Sequence, residues 1–211
     1  PFPVSPVHFY EDMKEFEIVP VVFIQNKVML DKNLDIEDLA HKTFRLIEEI
    51  NLKNKITADE IQIDCDWTKG TRNKYFKFLE QLKANPLLKG KTISVTLRLH
   101  QIKNIVSSGI PPVNKGILMC YNMGNLRKYG DQNSILDLHE MDQYLKDFLQ
   151  EYPLQLDVAL PLFEWAVVFR DQQYAGISKR IGKIQVEDKK LFKKRENYIL
   201  YDLMTDYTAA G

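Results

Sequence analysis

Ile61-Gln62-Ile63-Asp64-Cys65-Asp66-Trp67 alternates apolar and polar residues with a period of two. In a strand this sends Gln62, Asp64 and Asp66 to one face and Ile61, Ile63 and Cys65 to the other. Two carboxylates at one C-terminal strand end repel each other and lose hydration, so most strands avoid the arrangement. In α/β barrels that end of the strand is where chemistry is placed. The plain alternative is a strand that emerges into water with solvated aspartates.

Working outward, strands and helices alternate. Ile18-Val19-Pro20-Val21-Val22-Phe23-Ile24 is a continuous apolar run, the pattern of a strand buried on both faces. Asp35 opens a helix whose apolar positions Ile36, Leu39, Phe44, Ile47 and Ile50 recur at helical spacing. A second helix starts near Thr71, aligns Tyr75, Phe78, Leu79 and Leu82, and stops before Pro86. Strands follow at Thr92–Leu99 and Gly116–Tyr121. A third long helix is expected from about Leu136 to Glu151 with Ser134 as N-cap, then a fifth strand at Leu156–Phe163. Such alternation predicts parallel strands joined by right-handed crossovers, an α/β fold of the (β/α)8 TIM-barrel type. After Trp165 the pattern changes to a hairpin, Val167–Arg170 turning through Asp171-Gln172-Gln173 into Tyr174–Ile177. The expected organisation is a lead-in over residues 1–17, a barrel domain over 18–170 and an extension over 171–211.

The Thr92–Leu99 strand supports the first reading. Thr92, Ser94, Thr96, Arg98 and His100 are predicted on one face, opposite Ile93, Val95, Leu97 and Leu99. A polar interior suits binding or catalysis, whereas a barrel built for packing alone fills its interior with Val, Ile and Leu. A guanidinium close to an aspartate lowers its pKa by about 1–3 units, so an aspartate paired with Arg98 is a good anion and a poor general acid. The proton donor is then expected elsewhere. Glu164, flanked by Phe163 and Trp165, is the candidate, because an apolar aromatic setting raises a carboxyl pKa; its alternative is a surface glutamate in a loop. Asp64, Asp66 and Glu164 form the candidate catalytic set. Gln25 and Asn26 end the first strand, and Tyr121 and Asn122 end the fourth ahead of the turn residue Gly124. With Arg98, His100, Trp67 and Trp165 they make a rim able to bind hydroxyl groups and stack on sugar rings. Both tryptophans have core filler as their alternative.

Lys+Arg and Asp+Glu number 29 each, so no net field draws the chain to nucleic acid or an anionic membrane. No apolar run is long enough for a membrane span and no signal peptide is visible. The chain begins Pro1-Phe2-Pro3 without Met, as a trimmed fragment does. Cys65 and Cys120 read as buried small hydrophobes. The cluster Lys189-Lys190 with Lys193-Lys194-Arg195 lacks interleaved aromatics and reads as a solvated helix face. Asp64, Asp66 and His100 match no metal-ligand spacing and have Arg98 beside them, so no metal is expected. No cofactor fingerprint, phosphate loop or nucleophile elbow occurs.

The succession Ile63-Asp64-Cys65-Asp66-Trp67, Ser94–Leu97, Met119-Cys120-Tyr121-Asn122 and Ala159–Phe163 resembles the fourth to seventh strands of chitinase-type glycoside hydrolases of family 18, which are (β/α)8 barrels. More closely, Gln62–Thr68, Arg98-Leu99-His100-Gln101 and Tyr121-Asn122-Met123-Gly124 resemble an uncharacterised bacterial family of glycoside-hydrolase-like barrels, often associated with the cell envelope. The resemblance covers roughly residues 18–170. It implies a poly- or oligosaccharide ligand, and two barrel strands ahead of Ile18 that Pro1–Glu17 is too short to hold. In the chitinase motif Asp-x-Asp-x-Glu the glutamate is the general acid. Asp64 and Asp66 match its aspartates, but Thr68 stands at the glutamate position, and Asn122 replaces the aspartate that follows the substrate-contacting tyrosine. Two readings follow. One is a glycoside hydrolase with Asp66 as base, nucleophile or stabilising anion, Asp64 as charge-tuning neighbour and Glu164 as relocated acid. The other is a catalytically silent glycan-binding or envelope-assembly protein. A metal-dependent hydrolase ranks third.

Overall fold

The computed structural model describes residues 9–10, 15–195 and 201–203. The chain divides into two compact units, Pro1–Met119 with Asp147–Val158, and Cys120–Lys146 with Ala159–Gly211.

The first unit is built on a five-stranded sheet of order β1-β2-β3-β4-β5: Val21–Phe23, Glu60–Asp64, Thr92–Arg98, Lys115–Met119 and Gln155–Ala159. Parallel registers run from β1 to β4, aligning Phe23 with Asp64, Gln62 with Ser94 and Arg98 with Met119. Among the described residues the sheet does not close into a barrel. Short helix α1 (Asn26–Leu30) follows β1. Helix α2 (Ile36–Asn54) starts where predicted, because the Asp35 carboxylate accepts the Asp38 N–H at 3.0 Å. Helix α3 (Arg72–Lys83) buries Tyr75, Phe78, Leu79 and Leu82, the stripe read from the sequence. Ile61, Ile63, Ile93, Val95 and Leu97 complete this core from the apolar face of β2 and β3. Gly116 is required in β4: a Cβ there would fall 2.3 Å from Leu97 Cδ1 and 2.9 Å from Leu156 Cδ2.

The first strand departs from expectation. β1 is an edge strand, and Val21 and Phe23, aligned with Gln62 and Asp64, are 57% and 58% exposed. An apolar run predicts burial on both faces, but only the face of Val22 and Ile63 is packed. β3 also ends early. Leu99 and His100 begin helix α4 (Leu99–Lys103), because the Gln101 side-chain oxygen accepts the Arg98 N–H at 2.8 Å and turns the chain. His100 therefore leaves the strand face it was predicted to share with Arg98. A further short helix, α5 (Ile105–Ser108), precedes β4.

In the second unit, helix α6 (Leu138–Leu145) is shorter than expected. Its cap is Asp137, not Ser134, since the Asp137 carboxylate accepts the N–H groups of His139 and Glu140. The hairpin forms as read, β6 (Ala166–Arg170) against β7 (Gln173–Ser178), turning through Asp171 and Gln172 at φ 50 and 62. After helix α7 (Lys183–Val186), the basic cluster is no helix face. Lys193 and Lys194 lie in β8 (Phe192–Lys194), paired antiparallel with β9 (Tyr201–Leu203), and Arg195 grips Asp202. Of the late apolar run, residues 198–200 lie outside the described residues, as does most of the lead-in over 1–17.

Candidate functional site

In the first unit, the ends of β2 and β3 bring three predicted residues together, Asp64, Asp66 and Arg98. The Arg98 side chain donates from Nε to Asp66 Oδ1 at 2.6 Å, and Asp66 remains about half exposed. Asp66 is thus the aspartate held by the guanidinium. Asp64 lies deeper, and its Oδ1 is buried without a hydrogen-bond partner. Burial is the main reason its pKa lies above 3.8; Asp66 adds to the rise, while Arg98 and a Thr96 hydrogen bond oppose it. His100, displaced onto α4, is pushed below its ordinary value by desolvation and then by the Arg98 cation, with Asp66 acting the other way. Cys65 points to the apolar side, where burial raises its thiol to about 12. Among the described residues no three His, Cys, Asp or Glu gather closely enough to hold a metal ion.

The Asp64 shift has a consequence for stability. The folded carboxyl gives up its proton at a higher pH than the unfolded chain does. Ionisation therefore costs stability as pH rises from about 3.8 through the raised value, and that cost persists above it. Asp64→Asn removes the cost. At pH 7 the variant should melt above the wild type, and the advantage should shrink away by about pH 3, below both values; paired thermal melts at the two pH values read it.

Other predicted rim residues have different roles. Trp67 is not a platform. It is 3% exposed, stacks on Tyr75 with ring centroids 5.1 Å apart, and donates from Nε1 to the Ser108 carbonyl at 2.9 Å. An aromatic residue directly after a strand can face either way, and here the apolar side claims it. The Asn26 side-chain oxygen accepts the Thr71 hydroxyl at 2.7 Å, while Thr71 Oγ1 accepts the Thr68 N–H. Asn26 and Thr71 thereby brace the turn that carries Thr68. Gln25, at the N-terminus of α1, is exposed and does not cap the helix.

A charged row at the other end of the same sheet face escaped the sequence reading. Lys115 Nζ lies 2.8 Å from Glu60 Oε2 and 2.7 Å from Asp157 Oδ2, and the Ser94 hydroxyl donates to Glu60 Oε1 at 2.5 Å. Glu60, two positions before Gln62, extends the polar alternation of β2. That was the signal available.

The second unit holds the remaining predicted residues. The Tyr121 and Phe163 rings meet edge to face at 5.8 Å, and the Phe163 and Trp165 rings are 4.9 Å apart. Trp165 Nε1 donates to the Ser134 hydroxyl at 3.2 Å, the role Ser134 holds instead of capping. Asn122 adopts a left-handed conformation, φ 58, which its short polar side chain tolerates. Glu164 is exposed rather than enclosed by its aromatic neighbours. Its carboxylate lies over Gly182, where a Cβ would fall 2.1 Å from Glu164 Oε1. Cys120 is buried and free, as is Cys65 in the first unit.

No family model matches the chain, and no curated protein does either. Solved structures do. The chain superposes on a protein described as a sporulation-specific glycosylase from Bacillus subtilis (TM-score 0.55, 13% identity, 86% of this chain and 66% of that one). It also matches the spore cortex-lytic enzyme SleL of Bacillus megaterium (0.55, 14%, 90% and 48%). A third match is the C-terminal domain of a protein described as a chitinase from Desulfitobacterium hafniense (0.51, 16%, 76% and 51%). The chain thus has the fold of glycosylase- and chitinase-like structures while spanning about half to two thirds of their length.

Proposed function

We propose that the chain is a glycoside-hydrolase-like protein directed at a polysaccharide, its sheet forming an arc of a (β/α)8 barrel within residues 18–170. The observation that carries this reading is the pairing of unlike carboxyls at the end of β2. Asp64 is buried, with one oxygen unpartnered and a raised pKa, beside an Asp66 held at 2.6 Å by Arg98. Adjacent carboxyls in environments that differ this much are the arrangement acid–base sites use. In this reading Asp66 supplies the anion that stabilises developing positive charge, and Asp64 tunes it by taking up or releasing a proton. Tyr121 and Trp165, joined through Phe163, contact the glycan. Glu164 is assigned the proton to the leaving oxygen. The names of the structural neighbours support a cell-wall or chitin-like polymer as substrate class.

The second reading, glycan binding without cleavage, is favoured by Thr68. Its hydroxyl lies 3.3 Å from that of Thr71 in a braced turn, and a threonine cannot protonate a leaving oxygen near neutral pH. A panel of chitin oligosaccharides and cell-wall glycans separates the two, assayed for binding and for new reducing ends with the wild type, Asp66→Asn and Glu164→Gln. Turnover by the wild type that both variants lose supports the hydrolase. Binding in all three with turnover in none leaves the binding protein, and neither binding nor turnover on the whole panel removes both.

A further inference from the structure

The basic cluster near the C-terminus has no part in the proposed chemistry, and the structure sets it around a cleft in the second unit. After α7 the Asp188 carbonyl accepts the N–H groups of Leu191 and Phe192 at 3.0 and 2.9 Å, and β8 packs beside the helix. Val186 of α7, Phe192 of β8 and Tyr201 of β9, all half-buried, line a cavity of about 430 Å³. Small-ligand sites span roughly 300–1,000 Å³, so the space is sufficient for one. The charged part of its wall is Lys189, Lys193 and Lys194 against Glu187. That glutamate already has a cation near it, Lys183 Nζ at 4.0 Å.

Strand pairing supplies the aromatic rings that the sequence does not place among these lysines. Lys194 lies opposite Tyr201 in the β8–β9 ladder, and its Nζ sits 6.0 Å from the Tyr201 ring centroid. Arg195 is committed elsewhere: its Nε donates to Asp202 Oδ2 at 2.9 Å and its Nη2 to Asp202 Oδ1 at 2.8 Å, which ties the two strands together. Recognition in the cleft therefore falls to lysines, point charges that accept a carboxylate or a phosphate without demanding a fixed fork geometry. We propose that this cavity binds a sugar unit carrying a carboxylate or a phosphate. The ammonium groups meet the anion, and the carbon–hydrogen face of the ring lies against Phe192 and Tyr201. The sugar body rests on the polysaccharide reading above, whereas the anion rests on the cleft itself. A neutral sugar gives the lysines nothing to pair with, and an acidic peptide brings charge without a ring face for the aromatic floor.

Amide chemical shifts of the isotope-labelled intact chain test this with hyaluronan tetrasaccharide, glucose 6-phosphate, uncharged chitotetraose and tetraglutamate. At least one of the two anionic sugars should shift Phe192, Lys193, Lys194 and Tyr201, and the tighter of them identifies carboxylate or phosphate as the preferred anion. Chitotetraose should bind at these residues about tenfold more weakly or not at all. Raising salt from about 50 to 500 mM should weaken the anionic sugar, since the lysines are exposed and their field is screened. Lys189→Ala combined with Lys193→Ala should cost about tenfold in affinity with the far-UV spectrum unchanged. Tyr201→Leu should also weaken binding; if it disturbs the hairpin, the lysine variant decides alone. Absence of shifts at these residues with both anionic sugars overturns the proposal, as does chitotetraose binding there equally well. Tetraglutamate binding more tightly than either sugar makes the cleft an acidic-peptide site instead. The glycan panel reads new reducing ends and responds to Asp66→Asn, whereas this site is read at β8 and β9 and responds to the lysine variant, so failure of one reading is told apart from failure of the other.

Discussion

Trp67→Ala should destabilise the first unit by about 3–5 kcal/mol, the cost of emptying a large aromatic site in a packed core. The ring is 3% exposed, lies against Tyr75 at 5.1 Å and Phe76 at 5.9 Å, and anchors the Ser108 carbonyl. Three losses combine: apolar burial, ring stacking, and the partner of a carbonyl that ends α5. Trp67→Phe keeps the first two in large part, so it should lose less. Urea unfolding read by far-UV circular dichroism gives the two differences. A Trp67→Ala midpoint equal to the wild type, together with a selective loss of saccharide binding, would return Trp67 to the role of a sugar platform.

Lys115→Met should cost about 2–3 kcal/mol, toward the low side for breaking a buried ion pair because part of the lysine remains wet. The loss comes from Glu60, whose side chain is about nine-tenths buried and keeps only the Ser94 hydroxyl once the ammonium is gone. Asp157 is about half exposed, so its share of the interaction is screened and small. Glu60→Gln made together with Lys115→Met should recover much of the loss, since a neutral amide can keep Ser94 without a counter-charge. The wild-type lysine also has a pH signature. Its hydrogen bonds to Asp157 and Glu60 raise its pKa, so the stability it contributes is complete below the ordinary lysine range and disappears as pH climbs through the folded value. The double variant should lack that alkaline decline.

The parts of the fold that were legible are those where a local pattern and its tertiary setting agree. The α2 cap at Asp35, the α3 stripe and the hairpin turning at Asp171-Gln172 need only neighbours in sequence to be read. Asp64, Asp66 and Arg98 converge because period-two alternation holds through β2 and β3, and parallel pairing does the rest. The misreadings lie where a single side chain redirects the backbone. Gln101 turns the chain after Arg98 and carries His100 off the strand, and Asp137 outcompetes Ser134 because a carboxylate there receives two N–H groups. β1 misled for another reason: composition reports apolarity, but an edge strand can keep one apolar face uncovered. Glu60, Lys115 and Asp157 were missed because charged residues near strand starts look like solvated flanks, and only the sheet reveals that they form one row.

The spatial order of the five strands is also their order along the chain. A ribosome delivers them in that order, and no strand has to be threaded between two that have already paired. Each newly emerged segment meets a finished edge made by its predecessor, so nascent chains can accumulate ordered sheet before the final strand exists. The carboxyls at the end of β2 and the guanidinium at the end of β3 are both present once β3 has joined the sheet, before the aromatic residues that follow β4 have been made.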